Sequence, residues 1–126
     1  MSEIKINEYV RTKSGFIGRV IARHGGYGLH YELDIKKELQ DNMMNGIVHE
    51  DNIKDHKDNI IDLIEAGDYV NGCLVIEISR HRKTFTILSK IGLQKYEFEM
   101  VRKGTVKAYT IVTKEQFKNI EYKVGG

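Results

Sequence analysis

Twelve glycines and not one proline punctuate this 126-residue chain. Glycine supplies positive φ where a chain must reverse tightly, and the lack of proline leaves no slow isomerisation in folding. Between the glycines lie short apolar runs, a pattern of strands joined by tight turns. Ile4–Val10 reads as a strand, Thr12–Gly15 as a turn and Phe16–Ala22 as a second strand, with Gly18 marking a bulge or close backbone approach. His24-Gly-Gly-Tyr-Gly28 connects to a third strand, Leu29–Leu33. Ile35, Leu39 and Met43 then recur every four residues behind Asp34, which predicts an inserted helix over Asp34–Asn45, stopped at Asn45-Gly46.

Ile47-Val48 is a short apolar return, and the polar stretch Glu50–Asn59 reads as a loop. Ile60–Ile64 fits a helical turn or an extended segment equally. After Gly67–Gly72, Cys73–Ser79 alternates as a strand, Arg80–Lys83 forms a polar tip and Thr84–Leu88 returns. Tyr96–Val101 and Val106–Val112 read as further strands. Thr113 with Gln116 makes a capping box for a short C-terminal helix, Thr113–Ile120, before a terminal strand at Tyr122–Val124. The expectation is a single mainly β domain over residues 1–126. It takes the form of an SH3-like small barrel or two curved antiparallel sheets, with one inserted helix and one short C-terminal helix.

The two halves echo each other, over 4–33 and 67–90. Glu8-Tyr-Val10 precedes Val20-Ile-Ala-Arg-His24, as Asp68-Tyr-Val70 precedes Glu77-Ile-Ser-Arg-His81. The net charge is only +2, from 20 basic and 18 acidic residues, a field too weak to argue for nucleic acid as the partner. One cysteine excludes an internal disulfide and a cysteine-rich zinc site. With no long apolar run for a membrane and no signal peptide, it places the chain in a reducing cytosol.

Catalytic chemistry finds little support. His49-Glu-Asp51 and Asp55-His56 lack metal-ligand spacing, so no metal is assigned. Cys73 sits in an apolar strand, where a thiol behaves as a small hydrophobe. Glu97 and Glu99 alternate with apolar residues, as on the exposed face of a strand. No cofactor is implied, and the chain is read as a binder rather than an enzyme. The most suggestive motif is Arg23-His-Gly25-Gly26-Tyr27-Gly28. Its glycine amides suit a phosphate, with Arg23 adding charge and Tyr27 a stacking face, although the plainer account is a hairpin loop. Arg80-His-Arg82-Lys83 is a second basic tip.

Three segments also resemble a diffuse family of small accessory proteins from phages and prophages of Gram-positive bacteria. They are Ile6-Asn-Glu-Tyr-Val-Arg-Thr-Lys-Ser-Gly-Phe-Ile-Gly18, Asn59-Ile-Ile-Asp-Leu-Ile-Glu-Ala-Gly-Asp-Tyr-Val-Asn-Gly72, and Ile111-Val-Thr-Lys-Glu-Gln-Phe117 with Glu121-Tyr-Lys-Val124. The resemblance implies a viral protein acting in the cytoplasm of an infected bacterium. Its role would be to antagonise host defence, by blocking an effector such as a CRISPR nuclease or by sequestering a nucleotide signal. The family brings no catalytic residues to carry over. Under the inhibitor reading the contacts fall to Tyr27, Tyr31, Arg80 and Arg82, because Tyr and Arg supply hot spots out of proportion to their number. Under the nucleotide reading the ligand falls to Arg23, Gly25, Gly26 and Tyr27. An exposed strand edge would also allow pairing with a partner or a second copy.

Overall fold

The computed structural model describes residues 3–25, 29–35 and 46–117, and within them ten strands form two antiparallel five-stranded sheets. The first sheet holds β1 (Tyr9–Thr12), β2 (Ile17–His24), β3 (His30–Asp34), β4 (Ile47–His49) and β5 (Ile53–Lys57), in the order β4-β3-β2-β1-β5. The second holds β6 (Tyr69–Val70), β7 (Cys73–Ser79), β8 (Thr84–Ser89), β9 (Gly92–Glu97) and β10 (Ile111–Val112), in the order β10-β6-β7-β8-β9. Each sheet is a four-strand meander whose fifth strand returns to pair beside the first. Both sheets are open. The mainly β expectation therefore holds in its two-sheet form, and neither sheet closes into a barrel.

The same backbone clasp opens both sheets. Asn7 and Gly67 take up left-handed φ of 78° and 101°, a region where Asn and Gly are tolerated. Their N–H groups donate to Val20 and Val75 carbonyls, and the Val20 and Val75 N–H groups donate back to Glu8 and Asp68 carbonyls, all at 2.8 Å. Lys5 N–H and Glu65 N–H donate to the Glu8 and Asp68 carboxylates. A bulge follows each valine, between Val20 and Ala22 and between Val75 and Glu77. These bonds set Val20 level with Val75. The sequence echo had paired Val20–His24 with Glu77–His81, two positions further on, so its two Arg-His exits are not equivalent places.

Several local expectations are corrected. The segment expected as a loop at 50–59 contains a 3-10 turn, Glu50–Asn52, and then β5, which pairs with β1. Only Ile53 of β5 is buried, so this edge strand carries a polar composition that conceals it. The expected strand Tyr96–Val101 stops at Glu97 and becomes a short helix, α1 (Phe98–Arg102), which sets Phe98 into the core. Only Ile111–Val112 of the expected 106–112 strand pairs, and the first strand begins at Tyr9, with Ile4 already in the core. Asp34 closes β3, and 36–45, where the helix expected over Asp34–Asn45 would run, lie outside the described residues. The capping box is present, with Gln116 N–H donating to Thr113 Oγ1 and Thr113 N–H to Gln116 Oε1, both at 3.1 Å. It opens a helical turn at 114–117; residues 118–126, including Tyr122–Val124, are outside the described residues.

Each sheet covers its own apolar cluster, one around Val10, Phe16, Val20 and Leu33 and one around Val75, Phe85, Ile87 and Phe98. Polar links join the two. Arg11 of β1 reaches Asp68 and Leu63, Lys54 pairs with Glu65, and Gln116 Nε2 donates to the Ile17 carbonyl at 3.1 Å. Glu8 is the first sheet's counterpart of Asp68, and its carboxylate lies 2.9 Å from His56 Nδ1 of β5. Burial opposes the Glu8 charge, but the Lys5 N–H and His56 outweigh it and hold the carboxyl below its ordinary value. A carboxyl lowered on folding stabilises fully above its unfolded value, and that contribution is lost as pH falls through the folded value. Glu8→Gln should therefore flatten the acid side of the stability–pH curve. Urea midpoints across the acid range check this, and unchanged curvature would remove the His56–Glu8 contact as its source.

Candidate functional site

Strand register places an apolar row on the outer face of the second sheet. Tyr69 is opposite Leu74, Leu74 opposite Leu88, and Leu88 opposite Leu93. Directly opposed residues of antiparallel strands point to the same face, so the row crosses β6, β7, β8 and β9. Phe117 extends it at one end, stacked on Tyr69 with ring centroids 4.4 Å apart. The core-facing residues Val70, Val75 and Ile87 occupy the alternate positions. Leu88 is 49% exposed and Leu93 65%, while Ile91, in the turn between them, is 84% exposed. Exposed leucines scattered singly are ordinary, whereas Leu88 and Leu93 here are direct neighbours in one row.

A polar field borders this row. Glu77, Thr86 and Lys95 lie opposite one another in register, and Ser79, Thr84 and Glu97 form the next rank. The bulge after Val75 puts Ile76 and Glu77 both outward before Ile78 returns to the core side. With Arg82, five of these residues line a shallow polar pocket of about 250 Å³: Glu77, Ser79, Thr84, Thr86 and Lys95. The arrangement holds charges of both signs and hydroxyls. Among the described residues no three metal-ligating side chains converge. Cys73 packs against the second core, its Sγ 3.9 Å from the Asn71 carbonyl.

The residues singled out from sequence are scattered. Tyr31 is 2% exposed and belongs to the first core, so it is not a surface contact. Arg80 donates to the Ile64 carbonyl at 2.9 Å and lies 5.2 Å from the Phe98 ring centroid, which braces α1 against the 3-10 turn Ile60–Leu63. Arg82 is exposed and borders the apolar row's polar field. Arg23 is engaged by Glu3 at 2.8 Å, and Gly25 is exposed with open space around it. Gly26 and Tyr27 lie outside the described residues. Sequence reasoning missed Leu88, Ile91 and Leu93 as a site. The signal available was the Ser89-Lys-Ile-Gly92 turn, with Leu93, Lys95 and Glu97 alternating beyond it. Among the described residues no helix is long and apolar enough to cross a membrane. Comparison of the chain with protein-family models, curated proteins and solved structures returns no match.

Proposed function

We propose that this chain is a non-catalytic protein-binding module, with the outer face of its second sheet as the contact surface. The single observation that carries this reading is the apolar row from Tyr69 to Leu93, half-buried at Tyr69 and Leu74 and exposed at Leu88 and Leu93, beside a polar border. Fully burying one Leu or Ile side chain contributes roughly 1.5–3 kcal/mol, so Leu88, Ile91 and Leu93 supply the centre of a binding patch. Glu77, Lys95, Glu97 and Arg82 supply the polar rim that such patches carry. The family resemblance narrows the partner to a protein in the cytoplasm of an infected Gram-positive bacterium, with a defence effector such as a CRISPR nuclease as first choice.

The nucleotide-sponge alternative draws less support, because Arg23 is already engaged by Glu3 and Gly25 adopts no left-handed turn. Nucleic acid fits poorly with an apolar row bordered by both signs of charge. The test is a tagged pull-down from a Gram-positive host lysate, comparing the wild type with the Leu88→Asp/Leu93→Asp variant. A stoichiometric host protein should be retained by the wild type and lost by the variant, with the thermal melt of the variant unchanged. Equal recovery by both would overturn the assignment of this face.

A further inference from the structure

We infer that this face, when no host protein holds it, also pairs with a second copy of the same chain, packed face to face about a two-fold axis running along β8. The inference rests on reading the outer face of the second sheet as a contact surface. A two-fold interface uses one patch twice, so the patch must complement itself. Register allows that to be checked rank by rank. Rotation about an axis along β8 exchanges β7 with β9 and leaves β8 facing itself. The apolar rank then sets Leu74 against Leu93 of the second copy and Leu88 against its own equivalent. The next rank sets Glu77 against Lys95 of the second copy, twice over, on either side of Thr86, which lies on the axis and is buried within its own chain. The third sets Ser79 against Glu97, a hydroxyl facing a carboxylate.

The first rank is matched apolar to apolar, the second acid to base and the third hydroxyl to carboxylate. A neighbouring placement fails this test: an axis along the apolar row carries the two polar fields to opposite sides, where neither meets the other. Neither Glu77 nor Lys95 has an ion-pair partner among the described residues, so both are available for the exchange. Sheet faces pack about 10 Å apart, a spacing filled by interdigitating leucines. The patch is smaller than a standard interface of roughly 20–30 residues a side, so the dimer is reversible and concentration-dependent.

Sedimentation velocity over a concentration series tests this, using the wild type, Leu88→Asp, Glu77→Lys, Lys95→Glu and the double charge swap. The expected result is a wild-type monomer–dimer equilibrium and a monomeric Leu88→Asp variant. Each single charge change should weaken association about tenfold, near 1.4 kcal/mol, and the double swap should restore it. A wild type that stays monomeric to about 0.5 mM overturns the inference, since association weaker than this is barely favourable. So does a dimer indifferent to Leu88→Asp, or single charge changes that the double swap fails to rescue. A monomeric wild type that retains a host protein through Leu88 and Leu93 overturns the second copy alone. Substitutions in the row that alter neither self-association nor partner retention overturn the contact surface as well.

Discussion

Arg11→Ala is expected to lower the unfolding free energy by about 3–5 kcal/mol, the range for removing one partner of a buried ion pair. The Arg11 side chain is 5% exposed and that of Asp68 is fully buried. The guanidinium grips the carboxylate with two bonds, Nη1 to Oδ2 at 2.6 Å and Nη2 to Oδ1 at 3.1 Å. Nη1 also donates to the Leu63 carbonyl at 3.0 Å, and Nε lies 3.2 Å from Glu65. Burial disfavours the Arg11 charge, yet the Asp68 bonds and the Asp68, Glu65 and Glu115 charges outweigh it and raise its pKa. Alanine would leave the Asp68 carboxylate with only the Glu65 N–H and would orphan the Leu63 carbonyl. The half-exposed pair Arg19–Asp34 is the internal control, because exposed pairs contribute roughly 0.2–1 kcal/mol. Urea denaturation at neutral pH measures both. If Arg11→Ala costs no more than Arg19→Ala, the Arg11–Asp68 pair does not join the two sheets energetically.

Arg11 also shows why part of this fold was hidden in the sequence. Between Val10 and Thr12 it reads as a surface charge on a strand, and its partner lies 57 positions away. No local pattern announces a bond of that span. Where the information is local, the reading succeeds: Cys73–Ser79 alternates and is β7, and Thr113 with Gln116 is a capping box. Where two local patterns overlap, it fails. Tyr96, Phe98 and Met100 alternate as a strand, but Phe98–Arg102 is helical because Phe98 packs on Phe85 beneath Arg80. β5 was obscured because an edge strand with one buried residue has the composition of a loop. Tyr31 reads as surface beside its glycine-rich neighbour, although its two-residue spacing from Leu33 puts both on the buried side. The apolar row on the outer face was only half visible. Leu74 and Leu88 fell on recognised strands, but Leu93 becomes their neighbour only once β9 is paired with β8.

Phe85→Ala is expected to remove about 3–5 kcal/mol, the cost of deleting a buried phenyl ring from a packed core. Phe85 is almost completely buried, with Phe98 at 5.1 Å and Tyr96 at 5.9 Å between ring centroids, so the cavity is bounded by two rings. Both are anchored, Phe98 beneath Arg80 and Tyr96 through its hydroxyl to Gln94, which limits collapse into the void. The more informative part of the result concerns the other sheet. Arg11–Asp68, Lys54–Glu65 and the Gln116–Ile17 bond tie the first sheet to the second. If those ties make one cooperative unit, loss of Phe85 should lower the hydrogen-exchange protection of Val10 and Val20 amides as much as that of Val75 and Ile87. Unchanged protection at Val10 and Val20, with protection lost at Val75 and Ile87, would instead make the sheets two folding units. The shared clasp at Glu8 and Asp68 would then be each unit's own closure, and Arg11 a contact between units that fold separately.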